Sequence, residues 1–311
     1  MIDLSVLLIT YNNEDYIEDT LKSVLKQKGN FTFEIVVGDD CSTDKTLEII
    51  NIYASKYPNL FAVKKNESQL GIINNFKTTL DRCQGRYIFD VAGDDLLYTE
   101  DAFESMLEPF RKKPNLGFID SGYNELDTDT NKLNLYTNKT SIKTDKDAYK
   151  KLAYLGLIIP IGTCYNKEAL YKHVDFEYYI SENITIEDYP ILMDLISNCD
   201  FEMVDKNLHT YRVHSNSYSH NKTFKRRYFL KNQMLKLFNY FKEKYQFPEE
   251  IATTFYESHY KSILFFAGSH EKKQLGKEAF KAIKNKSLKD YLLYSTSQSK
   301  IIRQIVRMVY R

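Results

Sequence analysis

The amino-acid sequence predicts an α/β protein with a doubly wound, mostly parallel sheet flanked by helices, followed by a helical C-terminal extension. Near-continuous apolar runs, typical of strands covered on both faces, alternate with segments whose apolar residues recur at helical spacing. After His220 the pattern is helical to the end of the chain. We therefore expect a larger domain over residues 1–220 and a basic helical extension over residues 221–311.

The first third of the chain shows the most regular alternation. The predicted strands are Leu4–Thr10, Phe33–Val37, Leu60–Val63 and Tyr87–Ala92. The helices predicted between them are lined by Ile17, Leu21, Val24 and Leu25, then by Leu47, Ile50 and Tyr53, then by Ile72, Ile73, Phe76 and Leu80. Strands that alternate with helices in this way form parallel sheets.

The following segment is less regular. Asn124–Lys146 is rich in Asn, Asp, Thr and Lys, which predicts a long polar loop. Beyond it we expect strands at Ile158–Tyr165 and Leu208–Val213, and a helix over Glu187–Asn198.

The composition excludes several classes of protein. With 43% hydrophobic and 27% charged residues, the chain resembles an ordinary globular protein rather than a disordered one. No apolar run approaches the ~20 residues needed to span a bilayer, and the short run Leu4–Ile9 after Asp3 suits a buried strand better than a signal peptide. The four cysteines form no C-x-x-C pair, which favours a reducing, cytoplasmic compartment.

The net charge of +1 conceals a strong polarity along the chain. Residues 222–311 contain 20 Lys and Arg against 7 Asp and Glu, whereas residues 1–221 contain 23 against 35. This asymmetry predicts an acidic body and a basic segment that seeks an anionic surface. A solvated basic helical face is the alternative interpretation.

Two acidic pairs follow two of the predicted strands. Asp39-Asp40 ends the second strand and Asp94-Asp95 follows the fourth. Ligands of open α/β sheets bind beyond the carboxyl ends of the strands, so both pairs should face one crevice. A carboxylate pair suits a hard divalent cation that substrate phosphates also coordinate, and the other pair suits hydrogen bonds from a base and a ribose.

Three segments together resemble a known family. Ser5–Asn12, Val36–Asp44, and Gly85–Ile88 leading to Gly93-Asp94-Asp95 are similar to family-two inverting glycosyltransferases of the GT-A fold, of the type found in bacterial polysaccharide biosynthesis. The resemblance covers about residues 1–220. It implies transfer of a hexosyl or N-acetylhexosaminyl group from a nucleotide-sugar, expected to be UDP-linked, to a glycan or lipid-linked glycan, with Mn²⁺ or Mg²⁺. No nucleic-acid partner is expected.

The resemblance also implies roles for individual residues. The nucleotide-sugar would be held by Thr10, Tyr11, Asn12, Asp39, Asp40, Gly71, Asn75, Asp94 and Arg212. The metal would be held by Asp94, Asp95 and His214, the last in the segment Tyr211-Arg212-Val213-His214 followed by Ser217. The chain departs from the family at Ala92, where the first Asp of the metal-binding D-x-D element usually stands.

Glu187-Asp188 matches the family's acidic pair at the start of a helix, whose Asp is the catalytic base. Inverting transfer needs one carboxylate to accept the proton of the attacking hydroxyl, and an adjacent carboxylate raises its proton affinity. The alternative is a pair of ordinary acidic residues stabilised by the helix dipole.

Two other functions fit parts of the pattern. A nucleotidyltransferase also combines an α/β sheet with aspartate-bound Mg²⁺, but it would need a Gly-rich basic loop after the first strand, where Thr10–Asp15 offers Asn and acid. A non-catalytic nucleotide-sugar-binding subunit of a polysaccharide assembly complex would leave Asp188 without a role.

The last residues, 300–311, predict an amphipathic cationic helix. Its apolar face contains Ile301, Ile302, Ile305, Val306 and Val309, and Arg303, Arg307 and Arg311 recur every four residues on another face. This pattern is typical of a helix in the interface of an anionic membrane, here the inner face of the plasma membrane. The alternatives are a helix packed on the protein's own body or on a second copy in a homo-oligomer.

Overall fold

The computed structural model describes residues 2–135, 145–214 and 223–309. The strands are β1 (Leu4–Thr10), β2 (Phe33–Asp39), β3 (Phe61–Lys65), β4 (Tyr87–Ala92), β5 (Leu96–Leu97), β6 (Phe118–Asp127), β7 (Lys132–Asn134), β8 (Cys164–Asn166) and β9 (Phe201–Val213). The helices up to residue 198 are α1 (Ile17–Leu25), α2 (Thr46–Lys56), α3 (Ile72–Leu80), α4 (Ala102–Lys112), α5 (Lys146–Tyr154), α6 (Lys167–His173), α7 (Phe176–Ser181) and α8 (Asp188–Asn198). The later helices are α9 (Phe224–Lys244), α10 (Glu249–Ser269), α11 (Lys273–Ala282), α12 (Leu288–Gln298) and α13 (Lys300–Val309).

The strands form one sheet in the order β3-β2-β1-β4-β8-β6-β9-β5, with β7 paired to β6. The neighbours β3, β2, β1 and β4 are all parallel. Strand β8 is antiparallel to both β4 and β6, whereas β6 and β9 are parallel to each other. The structure confirms the predicted α/β fold with a mostly parallel sheet flanked by helices.

Helices cover both faces of the parallel strands. Alternate residues of β1, β2 and β4 pack with α1, α2 and α4 in one hydrophobic cluster, in which Leu21, Ile50 and Phe103 are fully buried. Helix α3 contacts β1 and β2 through the other face, where Phe76 is also fully buried. Each such side chain contributes about 1.5–3 kcal/mol through burial, which explains why β1 is apolar at almost every position.

The chain divides into two compact units. The first comprises Met1–Ala153 and Leu157–His214 and contains the sheet; the second comprises Tyr154–Gly156 and Ser215–Arg311 and contains α9–α13. The second unit has its own apolar cluster, centred on Ile263, Leu264, Ala279 and Ile283. The predicted domain boundary at residue 220 lies outside the described residues. No helix within the described ranges is both long and apolar enough to cross a bilayer.

The predicted polar loop over Asn124–Lys146 is wrong in its first part. Asn124 to Asp127 complete β6 and Lys132–Asn134 forms β7, while residues 136–144 lie outside the described part. Polar residues can occupy β6 because β9 supplies polar partners: Asn207 Nδ2 donates to the buried Asn124 Oδ1 at 2.7 Å.

Two other strand predictions differ in extent. Only Cys164–Asn166 is a strand within the predicted range Ile158–Tyr165, because Gly162 has a left-handed φ of 76° and Thr163 Oγ1 bonds to the Pro160 carbonyl. The predicted Leu208–Val213 is the end of β9, which begins at Phe201.

A buried polar network joins the amino ends of the parallel strands. Glu34 Oε1 on β2 accepts hydrogen bonds from Ser5 Oγ on β1 at 2.6 Å and from the Gln84 main-chain N–H at 2.5 Å. Ser5 Oγ in turn accepts from the Gly85 N–H at 2.8 Å. The backbone of Gly85 lies so close to β1 that a Cβ there would be 2.3 Å from the Ser5 nitrogen.

This contact predicts that Gly85→Ala lowers the free energy of unfolding by about 1–3 kcal/mol, because backbone atoms must move to accept the methyl group. Urea unfolding of the purified protein measures the change. Gln84→Ala is the matched control, since Gln84 is exposed and donates through its main chain. Equal unfolding midpoints for Gly85→Ala and the wild type would contradict the prediction.

Candidate active site

The site lies at the carboxyl edge of the parallel strands. Thr10 at the end of β1 pairs with Asp39 on β2, and Ile9 pairs with Ala92 on β4. The end of β1 therefore separates the two acidic pairs that the sequence singles out. Thr10, Tyr11 and Asn12 lie between Asp39-Asp40 on one side and Asp94-Asp95 on the other, as the order of parallel strands requires.

The buried Asp39 carboxylate holds the turn that follows β2. It accepts hydrogen bonds from the Ser42 hydroxyl and from the Ser42 main-chain N–H, the latter at 3.2 Å. Burial raises the pKa of Asp39 above its usual value, and the hydrogen bonds from Ser42 partly oppose this effect.

The Asp40 carboxylate anchors the start of α3. Its oxygens accept from the Leu70 and Gly71 N–H groups at 2.7 and 3.0 Å and from Asn66 Nδ2 at 3.1 Å. Gly71 has φ 81°, a conformation that glycine adopts without strain. Asn75 on α3 completes the network, because its amide donates to the Gly38 carbonyl and accepts from Asn66, both at 2.9 Å.

Asn12 shapes the loop after β1. It adopts φ 51°, and its Oδ1 accepts from the Thr43 N–H at 2.9 Å. The preceding Tyr11 is 42% exposed, so its ring is accessible at this edge of the sheet. Among the residues predicted to hold the nucleoside, Asn12, Asp39 and Asp40 accept hydrogen bonds from other groups of the protein through their side-chain oxygens. The Tyr11 ring, by contrast, is exposed.

Gly93 allows the acidic turn after β4 to approach β1. Its N–H donates to the Ile9 carbonyl at 2.9 Å, and a Cβ at Gly93 would be 2.4 Å from the Thr10 Oγ1. Only glycine fits here, which explains the Gly-Asp-Asp sequence at this position.

The structure brings Asp94 and His214 together. His214 Nε2 lies 3.0 Å from Asp94 Oδ2, although 120 residues separate them in the sequence. Asp95, by contrast, is buried, and its Oδ1 accepts a hydrogen bond from the Arg212 main-chain N–H at 2.9 Å. Burial raises the pKa of Asp95 well above its usual value, and the charge of Asp94 acts in the same direction.

Arg212 connects the end of β9 with the residues around Asp94. Its Nη1 donates to the Tyr16 and Asp94 carbonyls, each at 3.2 Å, and its Nη2 forms an ion pair with Asp19 at 3.0 Å. The Tyr16 ring packs against the guanidinium at 5.3 Å and against the His214 ring at 4.4 Å between centroids. Tyr16 therefore contacts both Arg212 and His214, and Asp19 contacts Arg212.

The side chains of Asp94 and His214 can hold a divalent metal ion only together with oxygen atoms of the substrate. Asp94 supplies a carboxylate and His214 an imidazole within hydrogen-bond distance of each other. Within the described ranges, no group of three or more His, Cys, Asp or Glu side chains could hold a metal by itself. Two protein ligands plus phosphate oxygens are a common arrangement for Mg²⁺, and Mn²⁺ accepts the same oxygen donors together with imidazole.

A second acidic group involves Glu187 and Asp188 at the start of α8. Asp188 Oδ1 accepts from the Tyr189 N–H at 2.6 Å. Burial raises the pKa of Asp188, and burial together with the charges of Asp188 and Asp90 raises that of Glu187 well above its usual value. Burial and the charge of Asp188 raise the pKa of Asp90 to about 7.

Asp90 and Tyr16 are site residues that the sequence analysis missed. Asp90 lies in the middle of β4, two residues before Ala92, and both are partly exposed while Phe89 and Val91 are buried. The sequence could have indicated Asp90, because it is an acidic residue inside an otherwise apolar strand and lies an even number of residues before Asp94. Tyr16 gave no such signal, and Ser217 lies outside the described residues.

The sequence pattern of the family "Glycosyl transferase family 2" matches residues 5–175, more than half of the chain. The putative teichuronic acid biosynthesis glycosyltransferase TuaG of Bacillus subtilis is 36% identical over 121 residues, which are 39% of this chain and 46% of that protein. The aligned segments span less than half of the length of the curated relatives.

Two solved structures share the fold. Staphylococcus aureus TarS in complex with UDP-GlcNAc aligns over 100% of this chain and 93% of its own, with a TM-score of 0.61 and 16% identity. The mannosyltransferase PcManGT from Pyrobaculum calidifontis, in complex with GDP-Man and Mn²⁺, aligns over 99% of this chain and 86% of its own, with a TM-score of 0.60 and 15% identity. The acidic pairs at the ends of β2 and β4 both lie within the segment that the family pattern matches, and the chain belongs to glycosyl transferase family 2.

Proposed function

We propose that this chain is an inverting glycosyltransferase that moves a sugar from a nucleotide-sugar to a glycan or lipid-linked glycan in polysaccharide biosynthesis. The observation that carries the proposal is the approach of His214 to Asp94 at 3.0 Å, beside Arg212 and beyond the carboxyl ends of β1 and β4. A carboxylate and an imidazole from distant parts of the chain, held together by the internal contacts of the Arg212 guanidinium, are proposed to receive a diphosphate and its metal ion.

The donor is proposed to lie along this edge, with its nucleoside near Tyr11 and the turn that Asp39 and Asn12 hold. Its diphosphate would face Asp94 and His214. A bound Mn²⁺ or Mg²⁺ would neutralise the charge that develops on the departing diphosphate. UDP-GlcNAc and GDP-Man are the donors found in the two similar structures, and the family resemblance favours a UDP-linked sugar here.

Asp188 is proposed as the catalytic base. The acceptor hydroxyl attacks the anomeric carbon from the side opposite the diphosphate, the bond from that carbon to the phosphate oxygen breaks, and the hydroxyl proton passes to the Asp188 carboxylate. The products are a glycoside of inverted configuration and a nucleoside diphosphate. Glu187 is proposed to act as the second carboxyl group of the pair, and the charge of Asp188 raises the pKa of Glu187 so that Glu187 is the one that retains its proton.

The direction of the pKa shifts suits this role. A base must be deprotonated to act, so activity falls as the pH drops through its pKa. Because burial raises the pKa of Asp188, this fall occurs at a higher pH than for a solvated aspartate, whose pKa is about 3.9. A raised pKa also makes the carboxylate a stronger proton acceptor when it is ionised.

The acceptor is proposed to be a cell-surface glycan or its lipid-linked precursor, made at the inner face of the plasma membrane. TuaG is named for teichuronic acid biosynthesis, and another relative, TarS, for N-acetylglucosaminyl transfer to poly(ribitol-phosphate). Family membership favours sugar transfer over nucleotidyl transfer. A non-catalytic nucleotide-sugar-binding subunit would bind a donor without consuming it, so turnover with a panel of nucleotide-sugars distinguishes it from an enzyme.

The two-ligand metal site predicts that excess chelator abolishes turnover and that Mn²⁺ or Mg²⁺ restores it. His214→Ala should raise the Mn²⁺ concentration for half-maximal rate at least about 10-fold, because one of the two protein ligands is lost. Asp94→Ala should abolish turnover because it removes the carboxylate ligand, and Asp95→Ala because it removes the acceptor that holds the Arg212 main chain beside Asp94. Release of nucleoside diphosphate measures the rate, and Asp129→Ala, in the exposed turn between β6 and β7, is the matched control. Full turnover in excess chelator would exclude the metal.

The base proposal predicts that Asp188→Asn lowers kcat by about 100-fold or more, the usual scale for loss of a general base, while donor binding stays near normal. Calorimetric titration with the donor and steady-state kinetics measure the two effects separately. Glu177→Gln, an exposed acidic residue on α7, is the matched control. If donor affinity collapsed and kcat survived, Asp188 would be a binding residue instead.

A further inference from the structure

The helix α13 presents apolar side chains to the outside of the molecule. Ile301 is 69% exposed, Ile305 51% and Met308 72%, and Ile302 is exposed as well. In a helix these positions share one face, because successive residues turn by about 100°. Apolar side chains at such spacing normally face a protein core, so this exposure requires an explanation.

The opposite face of α13 is turned inward and held there. Arg303 is only 5% exposed, and its Nη2 forms an ion pair with Glu271 Oε1 at 2.5 Å. Glu271 precedes α11 in the same compact unit. Among the side chains of α13 that the structure describes, none belongs to the apolar cluster around Ile263 and Ile283. The helix is therefore anchored through Arg303, and Ile301, Ile305 and Met308 point away from that contact, whereas Val306 is half-buried.

The positive charge of residues 222–311 favours a negatively charged partner for the apolar face of α13. Residues 222–311 carry 20 basic and 7 acidic residues, and Lys273, Lys277 and Lys281 recur every four residues along α11 with exposed side chains. A second copy that met this face with its own α13 would bring an equally positive segment against the first, which costs free energy through like-charge repulsion. An anionic lipid surface supplies both the opposite charge and an apolar layer.

We propose that α13 docks into the interface of an anionic lipid membrane, with Ile301, Ile305 and Met308 in the boundary between headgroups and acyl chains. The Arg303–Glu271 ion pair holds the helix with this face outward before it meets the lipid, so docking needs no refolding. The inference goes beyond the proposed function, and it depends on the surface of the second unit alone.

Vesicle flotation with the full-length protein tests this proposal. Vesicles of phosphatidylcholine alone are compared with vesicles that contain 30% phosphatidylglycerol (about one anionic lipid in three, enough to give a negative surface). The protein should bind the anionic vesicles at least tenfold more strongly, and added salt should weaken this binding. Binding is measured without nucleotide, so failure here leaves the proposed activity untouched.

The triple variant Ile301→Ser, Ile305→Ser, Met308→Ser removes the apolar face and keeps every charge; it should bind anionic vesicles at least tenfold more weakly than the wild type. Gln304→Ser, an exposed polar position on the same helix, should bind as the wild type does. Circular dichroism melting confirms that both variants fold. Equal binding of the triple variant and the wild type overturns the proposal. A dimer in sedimentation that the triple variant alone disrupts, without vesicle binding, assigns the face to a second copy and also overturns it.

Discussion

The site depends on one interaction, the anchoring of Arg212 at the end of β9 to the turn after β4. These two strands are not neighbours in the sheet, since β8 and β6 lie between them. The main-chain N–H of Arg212 bonds to Asp95, and its guanidinium bonds to the Asp94 carbonyl and to Asp19. Hydrogen bonds that involve charged groups contribute about 1.5–3 kcal/mol each, so this set can fix His214 beside Asp94. Without these contacts, no bond of Arg212 would hold the proposed metal ligands Asp94 and His214 next to each other.

Much of this arrangement follows from local sequence patterns and elementary topology. Leu4–Thr10 is apolar at five of its seven positions because helices cover both faces of β1, and that pattern is visible without a structure. Once β1, β2 and β4 are parallel, Asp39 and Asp94 must lie at the same edge. The pairing of Thr10 with Asp39 is the consequence. Gly93 also indicated the position of the site, because it lies where the turn after β4 closely approaches the end of β1.

Other features depend on contacts between distant segments, which no local pattern encodes. The polar end of β6 is a strand because β9 and β7 pair with it and Asn207 bonds to Asn124. Asp90 acquires its raised pKa from burial and from Asp188, a residue almost a hundred positions later. The amphipathic pattern of residues 300–311 predicted a helix with an apolar face but did not determine whether that face points toward the protein or away from it. The contact of Arg303 with Glu271 determines that direction.

We propose that the edge formed by β1, β2 and β4 binds a nucleotide-sugar whose anomeric carbon is attacked from the side of Asp188. The most direct test is the configuration of the first sugar product, followed by proton NMR as the protein consumes an α-linked UDP-sugar with Mn²⁺ present. The β-anomer should form first, since a single displacement inverts the anomeric carbon. An α-linked first product would contradict it, because retention requires a different use of Asp188.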